Sequence, residues 1–244
     1  MKHYQAHAGM GGRDYTEKLE DAPTVTRVKT MRELIAECLI EAPARPSVLD
    51  VGCADGGICA PFATDAQLFG LDVNDDFVDV ARLNGMNARS VDFERDRFPH
   101  DDGSIDVLVC GETIEHVVNT DWFMSEINRV TKSGGAAVFS IPNVNQLVSI
   151  PMMLLLDRPP RYSARFRAPH VRDFTFRTMK ECFQAFGFEV RKSIGTGLYV
   201  PGLKRHLLVK PSRRFPRFSA EVVFLLRKVR DVGYDPTKTV QVQI

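Results

Sequence analysis

Apolar residues in this chain form short uninterrupted runs that alternate with longer segments of helical periodicity. Strands buried on both faces are continuously apolar, whereas half-solvated strands alternate, so the runs predict buried strands. The predicted strands are Ser47–Val51, Leu68–Asp72, Ala88–Val91, Val107–Cys110, Ala136–Ile141 and Phe188–Ile194. The predicted helices are Thr24–Ala42, with Arg27 and Arg32 on its polar face, Asp75–Asn84, Thr120–Thr131 and Thr178–Phe186. This alternation predicts an α/β fold with a doubly wound, mostly parallel sheet.

The first predicted strand leads into the glycine-rich turn D-V-G-C-A-D-G-G, which contains Gly52 and Gly56. Glycines at this position allow a sharp turn and let a ligand approach main-chain N–H groups. The second strand ends in Asp72, 20 residues after Gly52, and a carboxylate there can accept both hydroxyls of a ribose. Together these features predict a nucleoside-binding crevice, although the turn alone is also compatible with an ordinary strand–helix connection.

The sequence D-V-G-C-A-D-G resembles the first motif of the class I S-adenosylmethionine (AdoMet) methyltransferases, and the resemblance covers about residues 30–210. It implies a seven-stranded Rossmann-like sheet, with His206–Val209 as the last, antiparallel strand, and AdoMet as cofactor. In that family the glycine loop passes under the methionine moiety and the second-strand acid holds the ribose. The resemblance implies these cofactor-binding residues: Asp50, Gly52, Cys53, Ala54, Gly56, Asp72, Val73, Asp92, Phe93 and Gly111.

Within that set, Asp92 would accept a hydrogen bond from the adenine amino group, and Phe93 would pack on the ring. The alternative for Asp92 is an acid that simply ends a strand before a loop.

Candidate chemistry follows the fourth strand, in Glu112-Thr113-Ile114-Glu115-His116. If this segment is helical, Glu112, Glu115 and His116 share one face at the carboxyl edge of the sheet, where ligands usually bind. Two carboxylates and an imidazole suit a divalent cation. The pattern E-x-x-E-H-V resembles the metal-dependent branch of the class I O-methyltransferases, which implies a further histidine downstream, here His170.

Two roles for these residues remain open beside a purely structural one. Glu112, Glu115, His116 and His170 would form a metal site, with Mg²⁺ or Mn²⁺ favoured over Zn²⁺. Alternatively, His116, His170 and Glu115 would act on the acceptor directly, with a histidine orienting it or serving as base.

Charge is unevenly distributed along the 244 residues, whose net charge is +1. Nine basic residues and one acidic residue between Leu203 and Arg230 give +8, and the remaining 23 basic and 30 acidic residues give −7. Ser219–Arg230 is amphipathic, which predicts a helix that caps the sheet, lies on an anionic membrane or contacts nucleic acid. Few aromatic residues and a near-neutral chain argue against nucleic acid.

The predicted organisation is a flexible arm (1–23), a methyltransferase domain (24–210) and a basic amphipathic extension (211–244). Within the domain, residues 144–170 form an insert with four arginines and two aromatic residues, which is either a substrate lid or a solvated loop. The five cysteines lack C-x-x-C spacing, and no secretory signal or long apolar segment is evident. We therefore expect reduced thiols and a cytoplasmic location, with peripheral contact at the inner face of the membrane.

The resemblance and the acidic and histidine residues predict an AdoMet-dependent O-methyltransferase. Its acceptor would be a hydroxyl of a small molecule or glycan, and a sugar or lipid-linked saccharide is favoured, as in polysaccharide biosynthesis. The alternatives are a catechol or an RNA 2′-hydroxyl as acceptor, and an AdoMet-binding interaction module without catalysis. The sequence does not determine the oligomeric state.

Overall fold

A computed structural model describes residues 22–157, 170–199 and 206–235. Nearly all of the predicted N-terminal arm and the arginine-rich part of the predicted lid (158–169) lie outside the described residues. Within the described part of the chain, no helix combines the length and hydropathy that crossing a bilayer requires. The five cysteines are free thiols, as the sequence predicts.

A seven-stranded sheet forms the centre of the molecule. Its strands are β1 (Ser47–Val51), β2 (Gln67–Asp72), β3 (Asn87–Ser90), β4 (Ile105–Gly111), β5 (Thr131–Pro142), β6 (Phe188–Gly195) and β9 (Glu221–Lys228). They are arranged in the order β3-β2-β1-β4-β5-β9-β6. Strands β1 to β5 pair in parallel, whereas β9 runs antiparallel to both β5 and β6. The doubly wound, mostly parallel α/β sheet is therefore confirmed.

Helices cover both faces of this sheet. They are α1 (Ala22–Glu41), α2 (Asp75–Leu83), α3 (Thr120–Val130), α4 (Ser149–Leu156), α5 (Phe176–Ala185) and α6 (Val209–Arg214). Apolar residues of α1 and α2 belong to the buried cluster on one face, and those of α3 and α5 belong to the cluster on the other. Because all parallel strands point the same way, their carboxyl ends form one edge, where the predicted site residues collect.

The C-terminal part of the chain corrects the sequence prediction. Residues 221–228 form strand β9 in the sheet, not an amphipathic helix outside it. Val223 and Leu225 pack on one face, while Val222, Phe224 and Leu226 pack on the other, so both faces are buried. A helical C-terminal extension and a domain end at residue 210 are therefore wrong, because the sheet is incomplete without these residues.

Two further details concern the C-terminal part of the chain. His206–Leu207 (β8) pairs with Leu198–Tyr199 (β7) in a separate two-stranded ribbon, so His206–Val209 is not the last strand of the main sheet. Two basic residues of this region bind other groups of the protein. The buried Lys228 ammonium donates to the carbonyls of Asn128 and Thr131 at 2.6 and 2.8 Å, and Arg227 pairs with Glu41.

Candidate functional site

The glycine-rich turn after β1 has a backbone that only glycine accommodates without strain at two positions. Gly52 and Gly56 both have φ of +78°. A Cβ atom on Gly52 would collide with the Thr113 side chain, and one on Gly56 would collide with the Met86 sulfur. The N–H groups of Gly52 and Cys53 donate to the Leu71 carbonyl at 2.8 and 3.0 Å, which fixes the turn against β2.

The carboxylate of Asp72 joins this turn to the end of β2. One oxygen accepts from the Ala54 N–H at 2.9 Å, and the other accepts from the Asn74 N–H at 3.0 Å. A carboxylate oxygen can accept more than one hydrogen bond, so these contacts orient Asp72 and leave it able to bind hydroxyls. The turn, Asp72 and the adjacent Val73 therefore meet at one edge of the sheet, where the sequence predicts a nucleoside-binding crevice.

Of the pair Asp92-Phe93, Phe93 is placed differently from the sequence prediction. Asp92 is exposed, but Phe93 is buried in the core, 5.9 and 5.4 Å from the ring centroids of Phe98 and Phe123. Asp92 therefore remains available to a ligand at this edge, whereas Phe93 stabilises the core and is not placed as an exposed platform for adenine.

Asp50, predicted to bind the cofactor, is fully buried on the α1 side of β1. Burial raises the pKa of its carboxyl to about 7, an effect that the neighbouring Cys59 thiol partly offsets. Asp50 is therefore enclosed beside Cys59 and is not exposed at the surface of the turn. Cys53 is buried close to Gly70, and Gly111, at the end of β4, is packed against Ile58 and Arg27.

Asp50 should make the stability of the cofactor-free protein depend on pH. Between about pH 4 and pH 7 the folded carboxyl keeps a proton that the unfolded chain releases, so the free energy of unfolding falls as pH rises. We expect Asp50→Asn to flatten this decline, so that the variant gains stability relative to the wild type from about pH 5 to about pH 8. Urea unfolding of both proteins checks this, with exposed Asp65→Asn as control. Parallel stability curves for wild type and Asp50→Asn would contradict the assignment.

The segment after β4 is not an α-helix. Glu112 has φ of +53°, and a single 3₁₀ turn follows at Ile114–His116. Glu112, Glu115 and His116 therefore do not share a helical face. Glu112 instead forms an ion pair with Arg27 at 3.7 Å, so the structure does not bring it to the other predicted metal ligands.

Glu115, His116 and His170 do come together, although 54 residues separate the two histidines. One ligating atom from each lies within 4.8 Å of the others, and the two imidazole centroids are 5.0 Å apart. The Glu115 carbonyl accepts from the N–H groups of Val171 and Arg172 at 2.9 and 3.1 Å. These backbone bonds hold the segment carrying His170 against the 3₁₀ turn, so the triad Glu115–His116–His170 is built from two fixed segments.

Two arginines of α1 lie at the site although the sequence pattern did not predict a role for them. The Arg27 guanidinium is buried at the end of β4, where it donates to the Ser140 hydroxyl at 3.2 Å besides pairing with Glu112. Arg32 donates to the carbonyls of Gly57 and Ile58 at 2.6 and 3.3 Å, which ties α1 to the glycine-rich turn. Helical periodicity places both arginines on the polar side of α1. It does not show that Arg27 faces Ser140 and Glu112, or that Arg32 faces the glycine-rich turn.

The strand order, the glycine-rich turn and the acid at the end of β2 define a class I AdoMet-dependent methyltransferase. A family model described as a methyltransferase domain matches residues 24–193, and the chain belongs to this family.

Among curated proteins, the chain is 37% identical over 107 residues to a ubiquinone biosynthesis O-methyltransferase of Shewanella halifaxensis, covering 40% of this chain and 44% of that protein. The chain thus spans less than half the length of this relative.

Solved structures share the fold at low identity. A methyltransferase from Thermotoga maritima, described as a possible histamine N-methyltransferase, has a TM-score of 0.63 at 16% identity, covering 93% of this chain and 99% of that one. Geranyl diphosphate C-methyltransferase from Streptomyces coelicolor has a TM-score of 0.58 at 15% identity, covering 82% and 79%. One neighbour is described as a possible N-methyltransferase and the other as a C-methyltransferase, so the fold does not identify the acceptor atom.

Proposed function

We propose that this protein transfers the methyl group of AdoMet to a hydroxyl oxygen of a small molecule or glycan. The observation that carries the proposal is the triad Glu115–His116–His170 at the same edge of the sheet as Asp72 and the glycine-rich turn. The name of the Shewanella relative, an O-methyltransferase, supports an oxygen acceptor.

AdoMet supplies an electrophilic methyl group, so the protein has to hold the acceptor oxygen in line and remove its proton. Asp72 and the turn bind and orient the nucleoside. An imidazole of the triad accepts the hydroxyl proton at neutral pH, and the buried Glu115 carboxylate lies 4.0 Å from His116 Nε2, close enough to stabilise the imidazolium. Much of the rate acceleration would come from holding the acceptor in line with the methyl group.

The same three side chains also suit a divalent metal. Because Glu112 pairs with Arg27, the remaining ligands are two imidazoles and one carboxylate. This nitrogen-rich set fits Zn²⁺ or Mn²⁺ better than Mg²⁺. A metal there would lower the pKa of an acceptor hydroxyl, so Glu115, His116 and His170 would act as ligands instead of a base.

The acceptor class is proposed from features of the sequence. A phosphate-bearing saccharide is favoured by the four arginines of residues 158–167, which can pair with phosphate, but they lie outside the described residues. A catechol is the main alternative, suggested by the E-x-x-E-H-V pattern, and an RNA 2′-hydroxyl is a further one. A non-catalytic AdoMet-binding module would bind the nucleoside and form no product.

Product analysis with and without metal tests the proposal. Purified protein is incubated with AdoMet and a panel of 3,4-dihydroxybenzoate, free hexoses and sugar phosphates, before and after treatment with a chelator, and its metal content is measured. We expect a methyl ether from at least one acceptor. Activity that survives chelation supports a histidine base, whereas activity restored by Mn²⁺ or Zn²⁺ supports a metal. Methylation at nitrogen or carbon alone, or AdoMet binding without any product, would contradict the proposal.

A further inference from the structure

Two segments near the carboxyl edge of the sheet expose large apolar side chains. In α4, Leu154 and Leu155 are each 79% exposed, and Leu147, just before the helix, is 52% exposed. In and beside α6, Phe215 is 60% exposed and Phe218 is 43% exposed. Contiguous exposed apolar surface in a folded domain marks an interaction site more often than scattered single residues do. We call residues 147–155 and 208–218 together the apolar–basic face.

The two segments form one surface because the backbone joins them. The Leu147 N–H donates to the Phe218 carbonyl at 3.2 Å. The side-chain amide of Asn143, the residue after β5, donates to the carbonyls of Arg217 and Ser219 at 2.9 and 2.8 Å. The start of α4 is thereby held beside the short 3₁₀ turn Pro216–Phe218.

This surface carries positive charge and no carboxylate of its own. Lys210, Arg214 and Arg217 are exposed, and the Arg217 guanidinium lies 5.7 Å from the centre of the Phe218 ring. Arg213 pairs with Glu33 at 2.8 Å, so its charge is compensated within the protein. The sequence has no Asp or Glu in residues 147–156 or 208–218.

We propose that the apolar–basic face docks the protein on an anionic membrane surface. Apolar side chains next to arginine and lysine match the boundary between acyl chains and phosphate headgroups. A second copy of this chain fits this face less well, because a symmetric contact would bring the positively charged residues of the two copies together. Membrane contact was predicted for the C-terminal extension (211–244); because residues 221–228 lie in the sheet, the proposed contact uses residues 208–218 of that region together with α4.

A backbone hydrogen bond links the start of this face to the segment that carries His170. The Val144 N–H, three residues before Leu147, donates to the Phe174 carbonyl at 3.0 Å, and Phe174 lies four residues after His170. The docking inference does not depend on the proposed reaction, because it is tested without AdoMet or acceptor.

Vesicle sedimentation of the full chain tests the inference. We expect binding to phosphatidylcholine vesicles that contain phosphatidylglycerol, and little binding to phosphatidylcholine alone. The double variant L154E/L155E should bind at least about tenfold more weakly, since it places charge in the apolar boundary. Each of Arg214→Gln and Arg217→Gln should weaken binding about fivefold, with a reduced salt dependence.

Matched controls use residues far from this face. Ile40 and Leu83 are 85% and 87% exposed at the opposite edge of the sheet, so I40E/L83E should bind vesicles as the wild type does. Arg191→Gln, on β6, is the charge control. Absence of binding to anionic vesicles would overturn the inference, as would equal loss of binding in I40E/L83E. A dimer that L154E/L155E converts to monomer, without vesicle binding, would assign the face to a second copy instead.

Discussion

Replacing Asp72 with alanine is expected to weaken AdoMet binding by about 100-fold or more. Two hydrogen bonds from ribose hydroxyls to a carboxylate would be lost, and bonds to a charged group contribute about 1.5–3 kcal/mol each. The variant also removes the acceptor for the Ala54 and Asn74 N–H groups, which orient the turn. Both effects act on the same ligand, so this is among the largest changes that a single side chain should produce.

Calorimetric titration with AdoMet measures this effect directly. Asp79→Ala is a suitable control, because Asp79 lies on α2 with its side chain 72% exposed and pairs with Arg82. The control should bind AdoMet with unchanged affinity. An Asp72→Ala protein that folds and binds AdoMet as tightly as the wild type would remove Asp72 from the ribose site.

The second large effect concerns the triad. We expect His116→Ala and His170→Ala each to lower the rate of methyl transfer by about 10²- to 10⁴-fold, the range typical of losing a general base. AdoMet affinity should stay nearly unchanged, because neither residue belongs to the turn or to the end of β2. The measurement is single-turnover product formation at saturating AdoMet, combined with the same calorimetric titration.

Two further variants separate the possible roles. Glu115→Gln keeps the size of a side chain that is only 1% exposed, so the fold should survive while the negative charge is lost. If the triad binds a metal, this variant and His170→Ala should both lose metal. His100→Ala, on the loop between β3 and β4, is the control and should retain activity. Full activity in both His116→Ala and His170→Ala would exclude the triad from catalysis.

Strand prediction succeeded where apolar runs were bounded by turn residues, and it failed where charge was given too much weight. Residues 222–226 are a continuous apolar run, V-V-F-L-L, which is the pattern of a strand buried on both faces. Basic residues on both sides of that run favoured an amphipathic helix. The structure places Lys228 against buried carbonyls instead, an interaction that depends on tertiary contacts and leaves no periodic signal.

The candidate site was predictable in its residue types and only partly in its geometry. Asp72 lies at the glycine-rich turn because parallel strands bring their carboxyl ends together. By contrast, the positive φ of Glu112 breaks the helical spacing on which the four-ligand prediction depended. Phe93 and Asp50 show a similar limit, because the burial of each side chain depends on tertiary packing. Phe93 packs against Phe123, which is distant in sequence, and Asp50 is enclosed beside Cys59 in the core.

The position of β9 between β5 and β6 has a consequence for synthesis of the protein on the ribosome. Strands β1 to β5 are continuous in the chain up to residue 142, so the half that holds the turn, Asp72 and His116 can assemble early. Strand β6 has no partner in the main sheet until residues 221–228 have been made. Until then the nascent chain presents the open edge of β5, a template for unwanted strand pairing. Translation of β9 is the step that closes this edge and allows the second half of the sheet to join.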